Sequence, residues 1–210
     1  MKHEWKKTEK QFYLPKKKPE LVEIPEFNFF VINGMGDPND EFFQDYIGVL
    51  YSLSYTIRMS PKKDRAPKGY YEYTVYPLEG VWDISEEAKA KDLKSFADLN
   101  KSDFVFNLMI RQPDFVSEEY AAKVIEWVKM EKPNDLLNEV DFVSIKEGKC
   151  VQMLHVGSYD SEPESFRKME DYAQKNNLNR KSKKHREIYL SDPRRANPDN
   201  LKTVLRFQVQ

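Results

Sequence analysis

The sequence carries one cysteine, three histidines and seven glycines among 210 residues. The single thiol, Cys150, excludes an internal disulfide and fits a reducing compartment, so a cytoplasmic protein is expected. So few histidines and thiols, at no recognised ligand spacing, argue against a metal centre. Gly34-Met35-Gly36 lacks the further glycine of a dinucleotide fingerprint, and no phosphate-cradling loop is present. Neither a metal nor another cofactor is therefore expected. Long apolar runs are absent as well: none approaches the roughly 20 residues that a membrane-spanning helix requires. The start, MKHEWKKTEKQFYLPKKKPE, is basic but has no apolar segment behind it and no small-residue cleavage site, so it reads as neither leader nor anchor.

An excess of one charge is missing too. The chain has 34 basic and 35 acidic side chains and a net charge of −1. Nucleic-acid binders draw most of their affinity from phosphate neutralisation, and a balanced chain argues against that class. The local basic runs, Lys6, Lys7, Lys10 and Lys16–Lys18, then Arg180, Lys181, Lys183, Lys184 and Arg186, read as solvated arm and loop. A small-molecule partner is expected, with no nucleic acid and no membrane; a monomer is the default and a homodimer the alternative.

Aromatic rings are plentiful: 13 Phe, 12 Tyr and 3 Trp. Residues 1–24 show no sustained periodicity and read as an amino-terminal arm, with Trp5, Phe12, Tyr13 and Leu14 as anchors. A domain over residues 25–210 follows. FNFFVIN predicts a strand from Phe27. Turn and capping chemistry at Gly34–Asp40 then opens a helix over about residues 40–58, with Phe43, Tyr46, Ile47, Leu50, Leu53 and Ile57 at helical spacing. The spacing predicts a strand over 70–76, a kink at Pro77 and a second short extended piece to residue 84, a helix over 83–100 with Ser85 as its cap, a strand over 104–111, and a helix over 117–132 that repeats the cap-plus-acids start at Ser117. In the second part, Glu147-Gly148 predicts a hairpin between two strands. A helix with Pro163 in its first turn follows, then strands over 186–190 and 203–209.

Val31–Asp37 followed by Phe42 echoes Leu154–Asp160 followed by Phe166. Two tandem strand–helix–strand–strand repeats, about 25–132 and 133–210, are expected. The fold class is α+β, with pseudo-two-fold symmetry, antiparallel sheets, helices on one face and a ligand cleft on the other.

Glu187 is the leading candidate for chemistry. In REIYL, alternation would turn Ile188 and Leu190 to the helices and Glu187 with Tyr189 to the open face. Among rings such a carboxylate is partly desolvated, and can attract a cationic ligand or take a proton from water. The competing reading is a surface glutamate paired with a lysine. Tyr71, Tyr73 and Trp82 are candidates for stacking on flat ligands, against plain core packing. His155 and Tyr159 flank the second glycine turn and could move a proton or donate a hydrogen bond; a structural histidine is the competing reading.

The segments GMGDPN with LYSLSYTI, KGYYEYTVYPLEGVWDI, CVQMLHVGSYDSEPESF and EIYLSDPRRANPDNLKTVLRFQV resemble, in order and spacing, the GyrI-like small-molecule-binding proteins. The resemblance runs over nearly the whole chain. It implies the tandem fold with a central cleft and a kinship with effector-binding domains of multidrug-sensing regulators, in which a pocket glutamate meets lipophilic cations. Glu187 matches that glutamate, and Trp82 and Tyr159 match cleft positions. With no DNA-binding domain ahead of the first strand, a stand-alone member is expected. The function implied is binding of small aromatic or lipophilic molecules, cationic ones among them, for sequestration or sensing. The alternative is a hydrolase that opens cyclopropane rings of aromatic genotoxic compounds, with Glu187 as base and Tyr73 or Tyr189 stabilising the oxyanion.

Overall fold

The computed structural model describes residues 2–90 and 100–210. Along the chain run α1 (Trp5–Thr8), α2 (Lys10–Tyr13), β1 (Glu20–Met35), α3 (Phe42–Arg58), β2 (Leu78–Ile84), α4 (Glu86–Ala90), β3 (Phe104–Gln112), α5 (Glu118–Glu131), β4 (Val140–Val156), α6 (Glu162–Lys175), β5 (His185–Tyr189) and β6 (Lys202–Gln208). Among the described residues no helix is long and apolar enough to cross a membrane. The chain forms two compact units, one of residues 28–70 and 80–143, the other of residues 1–27, 71–79 and 144–210.

In the central unit, strands lie in the order β1-β3-β2. β1 and β3 are antiparallel, with Phe30 opposite Ile110 and Ile32 opposite Leu108. Phe30, Ile32, Leu108 and Ile110 are fully buried, as are Leu50, Leu53 and Ile57 along one side of α3. That side is the apolar stripe read from the sequence, and burying it holds the helix in place. α5 starts where Ser117 accepts a hydrogen bond from the Tyr120 amide at 3.2 Å, with Glu118 and Glu119 in its first turn. Both features favour a helix amino terminus. Ser85 caps α4 in the same way, accepting from the Ala88 amide at 3.1 Å. The helix expected over 83–100 is observed as far as Ala90; residues 91–99 lie outside the described residues.

The carboxy-terminal unit repeats this plan, strands β5-β6-β4 with α6 between the first strand and the last pair. Both β4 and β5 are antiparallel to β6, in the registers Met153 opposite Leu205 and Glu187 opposite Leu205. Val151, Met153, Leu205 and Phe207 from the sheet pack with Met169 and Ala173 of α6. The two strand–helix–strand–strand repeats expected from the internal echo are thus both present, as an α+β fold.

Three local expectations are corrected. β1 starts at Glu20, not Phe27; Pro25 lies within it, since proline loses only a donor and has a φ compatible with extended chain. Residues 70–76 are not a ladder strand, whereas the extended piece expected after Pro77 is the second strand, β2. Instead Tyr73 makes an isolated bridge with His3, and the Trp5 indole donates to the Val75 carbonyl at 3.0 Å. The amino-terminal residues thus take the place expected of a sheet partner. Finally, Glu147-Gly148 is no hairpin, because β4 is one strand of 17 residues. Gly148, at φ 69°, turns the backbone locally without reversing it. Trp5 and Tyr13 are buried as expected, whereas Leu14 is exposed.

Candidate functional site

β5 is short and buried on both faces, and its residues diverge in chemistry. Arg186 points to one face, where it meets Glu79 at 2.7 Å and Glu147 at 2.9 Å. Arg206 pairs with Glu147 at 2.9 Å and reaches Gln152 and the Phe12 carbonyl. Burial works against the charge on Glu147, yet Arg186 and Arg206 outweigh it and hold that carboxyl below its usual range. Burial pushes the Glu79 carboxyl up, against the pull of Arg186.

Glu187 lies on the other face and is 8% exposed. It stands opposite Leu205, a member of the core that packs on α6, and the His185 ring two residues away lies 4.7 Å from Phe166 of α6. Glu187 therefore faces α6, and the expectation that it points away from the helices is corrected. Alternation along REIYL separates two faces but does not say which one the helix covers. Here the opposite face belongs to the Arg186 lattice.

Facing Glu187 is Glu162, the first residue of α6, 7% exposed. Oε1 of Glu162 is buried with no hydrogen-bond partner among the described residues. Burial raises the Glu162 pKa well above its ordinary value, and the Glu187 charge raises it further. A helix amino terminus favours an anion by about 0.3–1 kcal/mol. Burial beside a like charge outweighs that preference and leaves the net shift upward. The imidazole Nε2 of His185 sits 3.0 Å from Oε1 of Glu187.

Tyr159 and Tyr189 complete the cluster, their rings edge to face at 6.2 Å. Tyr159 is 40% exposed, yet burial of its hydroxyl, with the charges of Glu187, Glu162 and Asp192, pushes the phenol up to about 12. It remains a donor throughout the physiological range. His155 is buried just behind: Nδ1 meets the Ser165 hydroxyl at 2.9 Å and Nε2 the Ser158 carbonyl at 3.0 Å. With both ring nitrogens engaged, it ties the Gly157 turn to α6.

The remaining candidates lie elsewhere. Tyr71 has its ring 5.7 Å from His3, and Tyr73, fully buried, bridges to the same residue. Trp82 belongs to the central unit, with Phe43, Phe104 and Phe106 at 6.0, 5.9 and 5.5 Å. Glu162 was missed by sequence reading. An acid beside a first-turn proline looks like ordinary helix capping, and only the packing of α6 on β5 brings it to Glu187. At the far end of α6, an open groove of about 610 Å³ is lined by Glu170, Gln174, Leu178, Arg180 and Lys183. Its carboxylate is solvated and paired with Arg180 at 2.8 Å.

Two solved structures, each of a hydrolase from Listeria innocua, are similar to this chain over essentially their whole length. One is 37% identical with a TM-score of 0.87, covering 99% of this chain and 100% of its own; the other is 39% identical with a TM-score of 0.89, covering 100% of both. The carboxy-terminal domain of EcmrR shares the fold at 12% identity, with a TM-score of 0.55 over 92% of this chain and 97% of that domain. No curated protein is a significant match. The sequence profile of the GyrI-like small molecule binding domain matches residues 17–210. The chain belongs to the GyrI-like small molecule binding domain family.

Proposed function

We propose that the protein binds a small aromatic or lipophilic molecule beside Glu187 and hydrolyses it, with Glu187 taking the proton of the attacking water. The observation that carries this is the buried Glu187 carboxylate, held against the acid Glu162 and the phenols Tyr159 and Tyr189. The two Listeria hydrolases, at 37% and 39% identity, support it. For an aromatic compound carrying a strained cyclopropane, one water is added in balance. The water oxygen bonds to a ring carbon as its proton passes to Glu187. The ring C–C bond breaks, and its electron pair runs through the conjugated system to a carbonyl oxygen, which is then protonated. A phenol that keeps its proton, such as Tyr159, is suited to donate to that oxygen. Such compounds are the proposed substrates.

The test is product formation, read by mass spectrometry as gain of one water. A positioned base contributes about 100- to 10,000-fold, so Glu187→Gln should lower turnover by that factor while circular dichroism stays native. Unchanged turnover in that variant would refute the assignment.

A second reading is capture without turnover. Its specific support is that Oε1 of Glu187 is already engaged by His185 at 3.0 Å, which leaves that oxygen less available to a water. Stoichiometric binding without product would favour it.

A further inference from the structure

Hydrolysis at Glu187 makes no use of the cations that lie between α6 and β5. Arg180 is spent on its own loop. Its guanidinium lies 4.4 Å from the Phe207 ring centroid, pairs with Glu170 at 2.8 Å and donates to the carbonyls of Ser182 and Lys183 at 2.8 and 2.7 Å. Lys181, Lys183 and Lys184 are exposed. The segment that carries them is extended. Asn179 and Gln210 exchange backbone hydrogen bonds at 3.0 and 2.9 Å, and the Lys181 amide donates to the Gln208 carbonyl at 3.0 Å. Arg180 stands between these, opposite Val209. In an antiparallel ladder, a residue flanked by such bonds turns its own N–H and C=O to the other edge. The Arg180 amide therefore points away from β6, and it has no hydrogen-bond partner among the described residues. Asn179, Arg180, Ser182 and Lys183, with Gln174 of α6 and Asn177 just after it, line the groove of about 610 Å³. The acid in its wall, Glu170, is already matched by Arg180.

We propose that this groove docks an extended acidic segment of a partner protein, added as a strand along residues 179–182. The backbone edge offers a donor to a peptide carbonyl, and unpaired strand edges are templates for just such addition. The side-chain amides of Gln174 and Asn177 are suited to the N–H and C=O groups on the peptide's far side. Charge selects the occupant. Three exposed lysines stand beside the groove, the Lys183 side chain 90% exposed, in a chain whose net charge is −1. A basic peptide would be repelled, and a nucleic acid has no strand edge to pair. This surface goes beyond the binding proposed at Glu187 and does not depend on it.

The test is nuclear magnetic resonance of the isotope-labelled full chain, titrated with an acetylated and amidated hexapeptide of alternating threonine and glutamate. Saturable shifts are expected at the amides of Gln174 and of residues 178–183, and the affinity should fall as salt is raised. Lys181→Glu combined with Lys183→Glu, both at exposed positions, should lower it at least about tenfold, because like charges across an interface repel. Two further versions of the peptide are N-methylated at every threonine or at every glutamate. One of them should lose binding, since alternate residues of a strand pair to the same edge. Binding of both as tightly as the parent would overturn strand addition. Equal affinity for a peptide with lysine in place of glutamate would overturn the acidic partner. Tighter binding of a hexathymidylate at the same amides would assign the surface to nucleic acid instead. The same shifts on raising protein concentration alone would assign it to a second copy of the chain; either result overturns the proposal. So does a titration with the parent hexapeptide that moves none of these amides.

Discussion

Arg186 and Glu187 are neighbours in the chain, yet they bury their charges on opposite faces of β5. Arg186 is clamped by Glu79 and Glu147, whereas Glu187 is held by Glu162 and His185. One face compensates its charges and is structural. The other keeps a carboxylate with an acid as partner and little cation, the arrangement expected where a ligand is to supply what is lacking.

Arg186→Met should therefore lower stability by about 3–5 kcal/mol, because it strips the buried Glu79 of its cation and leaves Glu147 with Arg206 alone. Lys123→Ala, which breaks an exposed pair with Glu119 on α5, should change it by about 0.5 kcal/mol or less. Urea unfolding of both variants checks this. Equal effects would mean that the buried lattice contributes no more than a surface pair.

The pH dependence of stability should report Glu162. Its folded-state pKa is raised above the unfolded value by burial and by Glu187. Its contribution is therefore fully present below the unfolded glutamate pKa and is lost as pH rises through the folded one. The loss runs at up to about 1.4 kcal/mol per pH unit for one proton. Glu162→Gln should remove that slope and gain on the wild type as pH increases. Parallel stability curves would show that Glu162 does not hold a proton in the native state.

Two glycine-to-alanine changes should have opposite signs. Gly157 has φ 141°, and a Cβ there would lie 2.9 Å from Oγ of Ser161. Gly157→Ala should cost about 1–3 kcal/mol and, by shifting the turn that carries Tyr159, weaken ligand binding. Gly48 lies within α3, where an added methyl would meet only open space. Gly48→Ala should add about 0.5–1 kcal/mol. Thermal melts of the pair decide the matter.

Cys150 should be silent in the native protein. Burial, with the charge of Glu147, pushes its thiol up to about 12, and the thiolate is the reactive form. Labelling by a disulfide reagent at mildly alkaline pH should proceed only as fast as the protein opens and should accelerate with urea. Rapid stoichiometric labelling of folded protein would contradict that burial.

Much of the secondary structure was legible because it rests on local periodicity. The stripe Phe43, Leu50, Leu53, Ile57 defined α3, and the caps Ser85 and Ser117 marked two helix starts. Where reading failed, distant partners decided. Tyr71–Tyr76 looks like a strand by alternation, but Trp5 and His3 occupy it. Gly148 looks like a hairpin turn, but both flanks remain one strand, and Val151 and Met153 continue into the α6 core.

The amino-acid sequence by itself determined the two strand–helix–strand–strand repeats, the family resemblance and Glu187 as the residue to watch. All three depend on residue type and short-range spacing. Tertiary structure alone decided that Glu187 turns toward α6, that its partner is the acid Glu162, and that Arg186 is sealed among carboxylates behind it. A period of two separates the faces of a strand without naming them. Which face meets a helix, and which helical residue stands opposite, is set only when α6 packs on the sheet.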